Sequence, residues 1–217
     1  MELIVLIIFG GTFDPIHNGH LEIATKLYNT FNQDITLLPI GIPPYKTSPV
    51  TTPHQRLDMI NLAIQSYPYL KVNTVELDSD EYSYTYKTIN IIRRSVQPTT
   101  PILFIIGYDS FVTFDNWDNW RDILSFCHLV VVMRHGYVDD MLSRELKTFC
   151  QDKHTDDIKM LKNKPHGNIY KINFTPQDVS STNIRHNIVH DDSYRKYLDG
   201  NVYKYIVMNN LYTKSLI

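Results

Sequence analysis

The chain has 217 residues, 43% of them hydrophobic and 20% charged, with a formal net charge of −2 and a pI near 6.5. That balance supplies no field for wrapping a nucleic-acid backbone, and charged or polar residues interrupt every stretch before it reaches the roughly 18 apolar residues a membrane span needs, so neither nucleic acid nor a membrane is expected as a partner. Cys127 and Cys150 are the two cysteines. Without CxxC spacing they support neither a disulfide framework nor a zinc ribbon, and reduced thiols in the cytoplasm fit them best.

Residues 3–9 form a β-branched apolar run that ends at Gly10 and Gly11. Glu2 precedes the run and no basic start is present, so an export signal is not expected; the run reads as a strand buried on both faces. Leu21, Ala24 and Leu27 then recur at helical spacing, predicting a helix over 18–29. The alternation repeats with a strand at 34–41, a proline-capped helix at 52–67, a strand at 70–77 and a helix at 84–96. A fourth buried strand is expected at 101–107, a short helix at 117–126, and strands at 128–134 and 168–174. A helix over 180–189 follows. Residues 138–167 are polar with scattered apolar positions, and read as an insertion holding a helix followed by a loose loop. The length suits a single domain over 1–217, and the order predicts a doubly wound α/β parallel sheet with right-handed crossovers.

Gly10 and Gly11 stand at the carboxyl end of the first strand, where open α/β sheets bind ligands. His17 and His20 bracket the start of the following helix and can turn two imidazole donors toward an anion at its positive end. A solvated histidine pair and half of a zinc site are the alternatives, and a third zinc ligand at a convincing spacing is missing nearby. Neither GxGxxG nor GxxxxGK[ST] occurs. Near the other end, "VSSTNIRHNI" offers Ser180, Ser181 or Thr182 as a helix cap and Arg185 one turn later. Taken alone this is an ordinary capped helix; paired with the first site it closes a clamp around negative charge.

"GGTFDPIHNGH" and "SSTNIR" resemble the two signatures of the nucleotidylyltransferase superfamily, whose fold is a Rossmann-like sheet. "EYSYTYKTI", "FIIGYDSFVTFDNW" and "LVVVMRHGY" are similar, in matching order, to the substrate segments of the bacterial nicotinate-nucleotide adenylyltransferase family, and the likeness reaches the tail "VYKYIVMNNLY". The resemblance implies adenylyl transfer from ATP to nicotinate mononucleotide with Mg²⁺, in NAD biosynthesis. It implies that Gly10, Gly11, Thr12, Phe13, Gly107, Asp109, Ser181 and Thr182 bind ATP. His17, His20 and Arg185 are implied to contact its phosphates and carry the catalysis. No metal ligand is implied among the side chains. For the second substrate it implies the Thr85 backbone amide at the nicotinate carboxylate, with Tyr84 as a further substrate-binding residue, and Trp117 stacked on the pyridine ring; Lys46 and Arg134 are candidates for steering the phosphate, with solvated surface charge as the alternative for both. Two departures bear on that half: Tyr45 stands where the family often has histidine, and Lys87 replaces a frequent acidic residue. An adenylyltransferase for nicotinamide mononucleotide or another phosphomonoester, and a noncatalytic nucleotide-binding regulator, stay as alternatives. Nothing in the sequence sets the oligomeric state.

Overall fold

Burial with period two along the strands divides the apolar residues between two cores. The computed structural model describes residues 4–44, 48–133, 141–174, 176–188 and 192–213. Its strands are β1 Leu6–Gly11, β2 Ile35–Pro39, β3 Leu70–Val72, β4 Ile102–Gly107, β5 His128–Met133 and β6 Ile169–Asn173. Its α-helices are α1 Asn18–Phe31, α2 Pro53–Ile64, α3 Thr85–Ser95, α4 Tyr108–Phe111, α5 Trp120–Ile123, α6 Arg144–Gln151, α7 Ile158–Asn163, α8 Ser181–Asn187 and α9 Gly200–Met208. The strands form one sheet in the order β3-β2-β1-β4-β5-β6, every pair parallel.

Ile7 and Phe9 of β1, Leu103 and Ile105 of β4, and Val130 and Val132 of β5 face one core, closed by α1, α2 and α9. Ile8, Phe104, Ile106, Leu129 and Val131 face the other, closed by α3, α5 and α6. Both sheet faces are thus covered, as the near-continuous apolar strands require. Among the described residues no helix is long and apolar enough to cross a membrane.

Four sequence expectations change. β1 does not stop at the glycines: it runs through them, pairing Gly10 with Leu38 and Gly11 with Pro39. A Cβ at Gly10 would lie 2.9 Å from the Phe104 ring, so this glycine serves close packing in a strand rather than a turn. β3 is only three residues long, because the chain turns at Thr74, whose carbonyl accepts from Leu77 and Asp78, and carries Glu76 inward. The helix expected over 117–126 shrinks to the four residues of α5, since Asn119 adopts a left-handed φ of 47° just before it. The supposed insertion at 138–167 forms, where described, the β5-to-β6 crossover with two short helices. Leu146 and Cys150 of α6 seal one core and Leu161 of α7 the other.

His128 opens β5 and is fully buried. Its Nδ1 accepts from the Asn168 amide at 3.0 Å, so the proton sits on Nε2, which faces the Lys164 carbonyl at 2.8 Å. Burial pulls its pKa below the usual 6.5, against the pull of the Lys164 carbonyl. The stability from neutral His128 is therefore complete above pH 6.5 and is lost as the pH falls through the lowered folded-state value. Urea midpoints should drop between about pH 7.5 and about pH 5, and His128→Gln, which keeps one donor and one acceptor, should flatten that drop. An equal drop in the variant would contradict the assignment.

Candidate active site

The chain leaves β1 outward to β2 and β3, then returns to β4 on the other side of β1. The crevice beyond the carboxyl ends of β1 and β4 is the switch point where such sheets bind ligands. Thr12 follows β1 directly, and Phe13 takes a left-handed φ of 51°. That turn drives the Phe13 ring under the cradle: a Cβ at Gly11 would come within 2.7 Å of it, and it meets the His20 ring edge-on at 5.0 Å. Phe13 is 1% exposed, so it props the cradle from below and offers a ligand only its backbone.

His17 caps α1, and the His17 and His20 rings stack with centroids 3.7 Å apart and an interplanar angle of 27°. The His17 amide donates to His20 Nδ1 at 3.3 Å, which fixes the His20 ring orientation. His17 is nearly buried and His20 half-buried. The pair therefore presents one shared edge, rather than two independent surface groups.

The second signature docks on the first. Ser180 caps α8, accepting from the Asn183 amide at 3.1 Å. The Ser181 hydroxyl donates to the Pro15 carbonyl at 3.0 Å, and Arg185 Nη1 donates to the Asp14 carbonyl at 2.7 Å. Its Nη2 meets Thr182 Oγ1 at 3.3 Å. Two helices far apart in the chain, Asn18–Phe31 and Ser181–Asn187, thus bring a guanidinium, two hydroxyls and two imidazoles to one loop.

Beside the cradle, Gly107 ends β4 and precedes α4; a Cβ there would lie 2.4 Å from Asp109 Oδ1, so the glycine leaves room for that carboxylate to fold over the strand end. Trp117 follows a 3-10 turn over Phe114–Asn116, half-buried with its ring 5.4 Å from Phe114. Tyr84 caps α3 and Thr85 is its first residue, where a backbone N–H has no intrahelical acceptor. Lys87 points outward, with Nζ 3.4 Å from Glu81 and 5.5 Å from the Tyr84 ring centre. Lys46, Tyr45 and Arg134 lie outside the described residues.

Sequence reasoning missed the scaffold beneath these groups. The Asp14 carboxylate is 2% exposed and accepts from the Val50 amide at 2.8 Å, the Thr51 hydroxyl at 2.6 Å and the Tyr212 hydroxyl at 2.7 Å. Burial, reinforced by Asp14, pushes the Tyr212 phenol far above its usual pKa, so it stays a neutral donor. Arg56 is fully buried, and burial lowers its pKa while Asp14, Tyr212 and Glu76 oppose that shift. Its guanidinium donates to the carbonyls of Thr12 (3.2 Å), Ile40 (2.5 Å) and Gly41 (3.2 Å). A signal existed for Arg56: it shares the buried face of α2 with Met59, Ile60 and Ala63, an arginine on an apolar stripe. Tyr212 carried none.

The fold and this paired-signature cradle define a nucleotidyltransferase, and the Cytidylyltransferase-like family model matches residues 8–187. Curated relatives include the probable nicotinate-nucleotide adenylyltransferases of Yersinia enterocolitica (serotype O:8 / biotype 1B), 36% identical over 206 residues and 94% of each chain, and of Marinomonas sp. (strain MWYL1), 36% identical over 95% of this chain and 94% of that one. Among solved structures, Plasmodium falciparum nicotinic acid mononucleotide adenylyltransferase complexed with NaAD superposes with a TM-score of 0.74 at 19% identity, covering 96% of this chain and 97% of that one. The chain belongs to the nicotinate-nucleotide adenylyltransferase family.

Proposed function

We propose that this chain transfers the adenylyl group of ATP to nicotinate mononucleotide, forming deamido-NAD and releasing pyrophosphate, as a step of NAD biosynthesis. The observation that carries the reading is the docking of α8 on the loop before α1, with Arg185 bonded to the Asp14 carbonyl beside the stacked imidazoles. Such a donor set suits a polyphosphate, in keeping with curated relatives named as probable nicotinate-nucleotide adenylyltransferases.

A phosphate oxygen of the mononucleotide forms the new bond to the α-phosphorus, and the bond from that phosphorus to the β-bridging oxygen breaks. A phosphomonoester has its second pKa at about 6, so the attacking oxygen is already ionised at neutral pH and needs no protein base. The protein's work is to hold two anions in line and to absorb charge as it moves onto pyrophosphate. In this reading the Gly10–Thr12 backbone, His17 and His20 hold the triphosphate from one side, while Ser181, Thr182 and Arg185 hold it from the other. Asp109 accepts from the ATP ribose beside Gly107. Thr85 and Tyr84 meet the nicotinate carboxylate, Trp117 stacks on its ring, and Lys46 and Arg134 take the mononucleotide phosphate.

The cradle's amides, imidazoles and guanidinium donate to phosphate oxygens rather than ligate magnesium. These residues therefore suit Mg²⁺ carried in on the triphosphate, where it neutralises phosphate charge. The cytoplasm is the proposed location, in keeping with two buried cysteines that are not joined in a disulfide.

Pyrophosphate release from ATP and Mg²⁺, measured with nicotinate mononucleotide and with its amide, tests the assignment. Charge-assisted hydrogen bonds to a carboxylate are about twice as strong as neutral ones, so the acid should be favoured at least about tenfold in kcat/KM. Equal rates would refute acid selectivity, and no release with either would refute adenylyl transfer.

A further inference from the structure

We infer that Arg56 is a positioning residue that fixes the phosphate cradle and the mononucleotide pocket at one spacing. The inference rests on the adenylyl-transfer reading and adds to it a residue that touches neither substrate.

Three hydrogen bonds make the case. Arg56 Nη1 holds the carbonyl of Thr12, the first residue of the cradle after β1, and also that of Ile40; Nη2 holds that of Gly41. Ile40 and Gly41 begin the loop after β2, and this loop is in turn tied to the segment that opens α3. The Gly41 amide donates to Ser83 Oγ at 3.1 Å and to Glu76 Oε2 at 3.4 Å, and the Ser83 amide donates to the Ile42 carbonyl at 2.8 Å. Ser83 immediately precedes Tyr84 and Thr85, the residues assigned to the carboxylate. A continuous path therefore runs from Thr12 through Arg56, Gly41 and Ser83 to Thr85.

The path is tightly packed. Gly41 is buried, and a Cβ there would sit 2.1 Å from the Glu76 carbonyl oxygen and 2.8 Å from Ser83 Oγ, so the two loops approach at a spacing that only glycine permits. The planar guanidinium fork matters because one group must reach three carbonyls on two loops. A lysine ammonium at the same place keeps the charge beside Asp14 and Glu76 but lacks the fork. In-line attack depends on the separation of the two bound substrates, and a misplacement of about 1 Å costs on the order of a hundredfold in rate.

The test uses the full chain and steady-state kinetics with both substrates, with folding checked by circular dichroism. Arg56→Lys should fold, lose about 10- to 100-fold in kcat and raise KM for both ATP and nicotinate mononucleotide. Ser83→Ala, which removes the hydroxyl that accepts from the Gly41 amide and bonds the Glu76 side chain while leaving Arg56 in place, should raise KM for the mononucleotide about fivefold and leave KM for ATP unchanged. A structural role for the charge alone would leave Arg56→Lys with wild-type kinetics, and that result overturns the inference. If Arg56→Lys does not fold, Ser83→Ala decides: an unchanged mononucleotide KM overturns it. Wild-type protein that makes no product refutes the adenylyl-transfer reading, and the inference with it. Active wild type with kinetically silent variants refutes the inference alone.

Discussion

His20→Ala is expected to lower kcat for pyrophosphate release roughly 10²–10³-fold, the usual consequence of removing one preorganised donor to a transition-state charge. Three contacts hold the ring: the stack on His17 at 3.7 Å, the Phe13 edge at 5.0 Å and the His17 amide at 3.3 Å. KM for the mononucleotide should barely move, because the lost contact acts on charge that develops at the other substrate. Losing the capping bond costs only about 0.5–1.5 kcal/mol, so the variant should still melt cooperatively well above assay temperature. A rate within a few-fold of wild type would remove His20 from the chemistry.

The second large effect is on stability. Asp14→Ala strips the acceptor from the Val50 amide and from the Thr51 and Tyr212 hydroxyls, and takes away the charge that most favours ionised Arg56. Leaving a buried charge and three donors short of partners should cost roughly 3–5 kcal/mol. Chemical denaturation will read this directly, with Tyr212→Phe as the internal comparison: it deletes the bond to Asp14 while keeping the ring, and should cost about 1 kcal/mol. Asp14→Ala should also reduce turnover: alanine keeps the backbone carbonyl that accepts from Arg185, but the loop that carries it loses its side-chain anchor to Val50, Thr51 and Tyr212. A loss below about 1 kcal/mol in Asp14→Ala would mean that the network is not a support.

These two positions differ in how they could have been found. His20 stood out because its neighbours in sequence are its neighbours in space: a buried strand, two glycines and a capped helix occupy one contiguous stretch. The same holds for Arg185, one turn into a serine-capped helix. Asp14 sits between two flagged motif residues and still carried no signal of its own, because a single aspartate before a proline is an ordinary turn feature. Its partners are 36, 37 and 198 residues away. The carboxyl end of β1 eludes the sequence for a related reason. Gly10 resembles a turn glycine until the Phe104 ring is seen packed where a Cβ would be.

What the sequence determined alone was the alternation of strands and helices, the doubly covered sheet and the two signature segments. Strand and helix periodicity are set within a few residues of chain, so burial on one face or two leaves a local record. Only the tertiary structure decided which donors meet which acceptors: Arg185 with the Asp14 carbonyl, Arg56 with three carbonyls on two loops, and Tyr212 with a carboxylate near the opposite end of the chain. A buried polar group must find a partner, yet that requirement names no particular partner until the chain has closed upon itself.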